Sequence, residues 1–322
     1  MKRTLLFALI CLLCLQGLAG TQTSSTPEVR SRVIDAHKLL QDLKTLSADE
    51  MEGRKPDTPG SAKARAYILE RFKQSGIKPF GDSYLQTFGL KSSGDKTGPQ
   101  GFNVIGFIKG AQQPERYLVV TAHYDHLGIK NEKIYNGAND NASGVAALFA
   151  LAAYFHRHAP AHTLIFAALD GEETGLKGAR ALLNEPPVKK QEMVMNVNVD
   201  MICRDKKNTL YAVGTSHYRF LKPYLEKVAG KAPVTFLLGH DRSGGNEEDW
   251  TRDSDHYAFH KEKIPFIYFG VEDYQHHHEA DDDYENINPA FYVGAVEIIL
   301  DAVKQFDANL TAIETQANPR KE

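Results

Sequence analysis

Apolar and polar positions follow two rhythms along this chain. Residues 117–122, 163–168 and 265–269 are short, mostly apolar runs, as in Leu118-Val119-Val120, and 194–199 is apolar but for Asn196 and Asn198. Runs of that length predict strands in the middle of a sheet covered on both faces. Residues 102–108, 210–213 and 234–238 read as further strands. Between them the pattern turns helical. Helices are predicted over about 33–46, after the turn Pro59-Gly60-Ser61, and over 145–155, 175–183, 218–228, 254–260 and 290–306. In the second of these, Ala62, Ala66, Leu69 and Phe72 share a face, and Gly76 supplies a stop signal. The polar segment 91–101 reads as a surface loop. Strands alternating with helices predict a three-layer αβα sandwich around a mixed, mostly parallel sheet, in the α/β class.

The N-terminus breaks this pattern. Lys2 and Arg3 precede an apolar run from Leu5 to Leu15, followed by the small residues Gly17, Ala19 and Gly20. A basic start, a short apolar stretch and small residues are the marks of a secretory signal peptide. The run is shorter than the ~20 apolar residues that a membrane-spanning helix needs. Residues 1–20 are therefore expected to be a cleaved signal and 21–322 a single domain, secreted or periplasmic. Of three cysteines, Cys11 and Cys14 fall inside the signal, so the exported chain keeps Cys203 alone and forms no internal disulfide.

Composition narrows the partners. With 42% hydrophobic and 25% charged residues, the 322-residue chain is neither fibrous nor low in complexity. Lysine and arginine total 38 against 41 acids, a net charge of -3, which argues against nucleic-acid or anionic-membrane binding.

Functional groups in open α/β sheets gather at the carboxyl ends of the strands, and here those ends carry acids and imidazoles in succession. The 117–122 strand runs into His123-Tyr124-Asp125, and the loop after it contains Asn139-Asp140-Asn141-Ala142-Ser143-Gly144. The next two core strands end in Asp170-Gly171-Glu172-Glu173 and in Asp200. Toward the C-terminus lie His276-His277-His278 and Asp281-Asp282-Asp283. Each group alone fits a solvated loop or a helix first turn. Together, two imidazoles and three carboxylates at adjacent strand ends suit a pair of zinc ions with room left for water. Of two adjacent glutamates, one can bind metal while the other stays free as a base.

This succession resembles the co-catalytic dizinc aminopeptidases of the bacterial leucyl aminopeptidase type, whose relatives include glutaminyl cyclases and transferrin-receptor-like proteins. The similarity extends to Glu52-Gly53-Arg54 with Pro59-Gly60-Ser61, and to Ser254-Asp255-His256 with Ile264-Pro265. It implies two Zn2+ per chain, bridged by Asp140, with His123 and Asp200 completing one set and Glu173 and His278 the other. It further implies that Glu172 is the general base, acting on a metal-bound water, with peptides bearing a free N-terminus as substrates. Asp125 would accept from the far ring nitrogen of His123, and His256 would stand near the site without ligating. A cis peptide is expected at Asp140–Asn141.

The chain departs from the family pattern in three places. The last ligand sits in His278-Glu279-Ala280 where a His-Thr-Pro-like turn is expected. His278 is chosen because it stands four residues before Asp282, with His277 the alternative. Cys203 replaces a glycine, as an extra ligand or a packed side chain. His256 is read as a supporting group. The rival activities are a single-zinc glutaminyl-peptide cyclotransferase, which the acidic stretch 281–286 resembles, and a non-catalytic binding relative. Presence of both His123 and Asp200 favours the peptidase.

Overall fold

Burial from both sides explains the apolar runs. In the computed structural model, which describes residues 29–91, 98–228, 230, 233–242 and 248–318, the elements follow in order. They are α1 (Ala36–Leu46), α2 (Pro59–Gln74), β1 (Leu85–Gly89), β2 (Gln100–Ile108), β3 (Gln113–His123), β4 (Gly128–Lys130), β5 (Lys133–Tyr135), α3 (Ser143–Arg157) and β6 (His162–Leu169). The second half holds α4 (Lys177–Asn184), β7 (Met193–Val199), β8 (Thr209–Val213), α5 (Lys222–Leu225), β9 (Thr235–Leu238), α6 (His256–Lys261), β10 (Phe266–Gly270), α7 (Pro289–Ala308) and α8 (Leu310–Ala317). The predicted signal and its two cysteines lie outside the described residues, as does part of the 91–101 segment.

Eight strands form one sheet in the order β1-β2-β6-β3-β7-β10-β8-β9. Its centre, β6-β3-β7-β10, is parallel, while β1, β2 and β8 pair antiparallel with a neighbour. Along β3 and β6, Leu118, Val120, Leu164 and Phe166 pack into a core with the helices α1, α2, α3 and α7. Val119, Ile165 and Ala167 point the other way, into a second core with Leu182 of α4 and Phe259 of α6. Two apolar faces on one strand mean a sheet sandwiched between helix layers, as the sequence predicts. Among the described residues, no helix is long and apolar enough to cross a membrane.

The expected helix over 218–228 is reduced to a 3-10 turn at Arg219–Leu221 and the four-residue α5. Pro223 has no N–H to give, so α-helical bonding can begin only around it. The segment read as a loop already pairs as strand from Gln100.

Candidate metal centre

The parallel strands deliver their last residues to one edge of the sheet. His123 closes β3, and Asp200 follows β7, its N–H donating to Phe269 O of β10 at 3.1 Å. His123 Nε2 lies 3.2 Å from Asp200 Oδ1 and 3.3 Å from Asp140 Oδ1. Asp200 is held by a buried polar chain between strands. Asn196 Nδ2 donates to Thr121 Oγ1, Thr121 Oγ1 to Asn198 Oδ1, and Asn198 Nδ2 to Ser254 Oγ. Ser254 Oγ in turn donates to Asp200 Oδ2 at 2.7 Å.

Asp140 sits in the loop that leads into α3, and the Asp140–Asn141 peptide is cis, as expected. Three anchors fix that loop. Both oxygens of Asp282 accept main-chain N–H groups, from Asn139 and Asp140, each at 2.9 Å. The Asn139 and Asn141 side chains tie it to the end of β7 through Cys203 N and Val199 O. Arg54, fully buried, donates to the carbonyls of Leu46, Tyr124, Asn136 and Gly137. Gly144 must be glycine, because a Cβ there would fall 2.3 Å from Val199 O.

Glu172 and Glu173 follow β6 on a turn organised by Asp125. Its carboxylate accepts the Glu172 N–H at 3.1 Å and the Glu173 N–H at 3.3 Å. That occupation alters the role expected of Asp125. The nearer acceptor for His123 Nδ1 is the Asp125 carbonyl oxygen at 3.1 Å, with the carboxylate at 3.6 Å. Glu173 Oε2 lies 3.1 Å from His278 Nε2, and the same nitrogen is 3.3 Å from Asp140 Oδ2. His277 reaches Asp140 Oδ2 only at 3.7 Å and makes no such approach to Glu173 among the described pairs. The predicted ligand residues thus converge, and of the two neighbouring histidines His278 is better placed.

His126, which the sequence reading passed over, joins them. Its Nδ1 is 2.9 Å from Glu173 Oε1 and 3.5 Å from Asp140 Oδ2. Asp255 was likewise not singled out beyond its motif. Both of its carboxylate oxygens are buried without a hydrogen bond, and burial pushes its pKa up to about 7. The remaining assignments are simpler. His256 is buried, bonded through Nε2 to Trp250 O and stacked on Tyr268, and burial lowers its pKa to about 3. It stands behind the cavity wall as a neutral ring. Cys203 is free, buried and absent from the clusters able to hold a metal among the described residues.

Charge tests whether these side chains suit metal ions. Burial disfavours ionisation of Asp140, yet the rings of His126, His123 and His278 hold its pKa well below the ordinary carboxylate range. Burial also opposes a charge on His123, but the Asp200 carboxylate and its neighbours raise that pKa well above normal. Hydrogen bonds donated to the Asp140 and Glu173 carboxylates raise the pKa of His278 to about 10. Carboxylates that draw protons onto neighbouring imidazoles mark a place suited to cations, and nitrogen with carboxylate oxygen is a zinc donor set. Glu172 behaves differently. Its carboxyl is pushed well up, by burial first, against the pull of His123 and with Asp255, Asp200 and Asp125 adding to it.

His123, Asp140, Glu172, Glu173, Asp200 and His278 line a cavity of about 470 Å³, with Met201, Trp250, Tyr268 and Tyr274 and the charged Glu248, Arg252 and Asp253 also in its walls. Imidazole and carboxylate donors gathered at the carboxyl edge of an α/β sheet suit a divalent metal ion. Residues 103–303 match the family model of peptidase family M28, and the chain belongs to that family. A probable zinc metalloprotease of Pyrenophora tritici-repentis is 34% identical over 106 residues, which cover 32% of this chain and 24% of that protein. The match thus spans about a quarter of the curated relative's length. Among solved structures, BSAP, a zinc aminopeptidase from Bacillus subtilis, superposes with a TM-score of 0.68 at 16% identity, over 87% of this chain and 96% of that one. A glutaminyl cyclase of Bacteroides thetaiotaomicron bound to N-acetylhistamine gives 0.65 at 17% identity, over 86% and 99%.

Proposed function

We propose that this chain is an exported aminopeptidase that releases N-terminal residues from peptides with two zinc ions. The observation that carries the reading is the two-sided environment of Asp140. Its Oδ1 faces His123 and its Oδ2 faces His278, each at 3.3 Å. A carboxylate so placed suits a bridge, with His123 and Asp200 completing one ligand set and Glu173 and His278 the other. Zinc in such sets polarises a peptide carbonyl and lowers the pKa of water toward neutrality. Glu172, in the same cavity but outside both sets, takes the proton from the attacking water and returns it to the leaving amine. Glu248 and Asp253 outnumber Arg252 among the outer charged residues of the cavity, and this excess of negative charge attracts a substrate's free α-ammonium and repels a C-terminal carboxylate. The basic start and apolar run of residues 1–20 support export.

The test compares leucyl p-nitroanilide with its N-acetylated form on the purified, zinc-loaded protein. Hydrolysis of the free amide alone is expected. Equal rates on both would remove the exopeptidase reading. Conversion of an N-terminal glutamine to its lactam, with the leucyl amide untouched, would replace it by the cyclase reading.

A further inference from the structure

We propose that His126 supplies a nitrogen ligand to the ion held by Asp140, Glu173 and His278, so that this position carries two imidazoles. The proposal rests on reading the cluster as a two-metal centre. Its support is geometric. Neighbouring ligand atoms around a tetrahedral zinc, each at ~2.0–2.1 Å from the metal, stand about 3.3 Å from one another. His126 Nδ1 is 2.9 Å from Glu173 Oε1 and 3.5 Å from Asp140 Oδ2. His278 Nε2 is 3.1 Å from Glu173 Oε2 and 3.3 Å from Asp140 Oδ2. All four separations are close to that spacing, with Glu173 meeting His126 through Oε1 and His278 through Oε2. The His126, Asp140 and Glu173 donor atoms lie within 4.8 Å of each other.

The ring is also fixed in place. His126 is 1% exposed, and Gly137 packs flat against it. A Cβ on Gly137 would come within 2.6 Å of His126 Cγ and Cδ2, and the glycine's φ of +57° is a second reason for its identity. The far nitrogen, Nε2, is buried and makes no hydrogen bond. What engages this imidazole is therefore on its Nδ1 side, facing two carboxylates of one ligand set. The two positions then differ in kind. His123, Asp140 and Asp200 offer one nitrogen, whereas His126 and His278 give the other position two, favouring zinc over manganese or magnesium.

The competing role is a hydrogen-bond donor, with Nδ1–H orienting Glu173. Asparagine separates the two, since its amide nitrogen occupies the place of Nδ1 and donates but does not ligate zinc. Metal-stripped wild-type, His126→Asn and His126→Ala proteins are titrated with zinc against a chromophoric chelator. X-ray absorption of the wild-type zinc protein counts imidazoles. Both variants are expected to bind one of the two zincs at least about tenfold more weakly. The wild-type spectrum should show three imidazoles shared by two zincs. Wild-type affinity in the asparagine variant, or two imidazoles in the spectrum, would overturn the ligand role while leaving the two-metal reading intact. Fewer than two zincs on the wild-type protein would overturn both. Because the absorption measurement needs no variant, poor folding of either one does not protect the proposal.

Discussion

The two halves of the candidate metal centre are built differently. His123 and Asp200 sit on the ends of adjacent parallel strands, 1% and 5% exposed. Asp200 is further clamped by Ser254 at the end of the Thr121-Asn198-Ser254 chain. Glu173 and His278 lie on turns, and the His278 side chain is 45% exposed. Asp140 joins the halves, with its loop anchored by Asp282 and Arg54. The contrast shows that strand ends, with Ser254 behind them, orient one set of candidate ligands. The other set depends on turns whose geometry must be fixed by extra contacts, and it is the more exposed of the two.

Breaking the joint should have the largest effect. Asp140→Ala is expected to abolish binding of both ions and all activity and to lower the melting temperature, because metal binding stabilises the folded state. Elemental analysis together with calorimetry checks this, and two retained ions would remove the bridge. Glu172→Gln should leave both ions bound while turnover falls by at least about 10²–10⁴-fold. Loss of metal from that variant would make Glu172 a ligand and reverse the roles of the glutamate pair.

Two further substitutions separate the halves. His278→Ala should release the ion of the open half to a chelator and leave the buried one in place, as read by the zinc remaining per chain. Ser254→Ala should do the reverse more gently. It removes a donor from Asp200 and is expected to weaken the buried half's ion by about 10–100-fold. Identical zinc-loss profiles for the two variants would erase the distinction between the halves.

The same division governs what the sequence makes legible. The buried half could be read directly, because apolar runs mark the core strands and His123 and Asp200 stand just past them. The αβα layering follows from the same runs, whereas the strand order, which is set by the crossovers, does not. Less survives at the edges. β1 (Leu85–Gly89) has only Phe88 buried, and β4 and β5 are three residues each, too short to show a period. In the open half the chain presents His276, His277 and His278 consecutively. His278 itself has a left-handed backbone, φ +60°, which its residue type does not announce. His126 carried a usable signal, standing three residues after His123 and one after Asp125, but its partners Glu173 and Gly137 come from distant segments. Asp125 does more than its place in the motif suggests: it faces the His123 ring at 3.1 Å through its carbonyl and 3.6 Å through its carboxylate, and that carboxylate also holds the Glu172-Glu173 turn.

The central claim, that two zincs joined by Asp140 support cleavage at a free N-terminus, is tested most directly by reconstitution. Metal-stripped protein is titrated with zinc, and bound zinc and leucyl p-nitroanilide hydrolysis are measured in the same samples. The account predicts saturation at two zincs per chain, reached in two steps of unequal affinity, with full activity only when both are bound. Saturation at one zinc, or two bound zincs with no hydrolysis of the free amide, would contradict it.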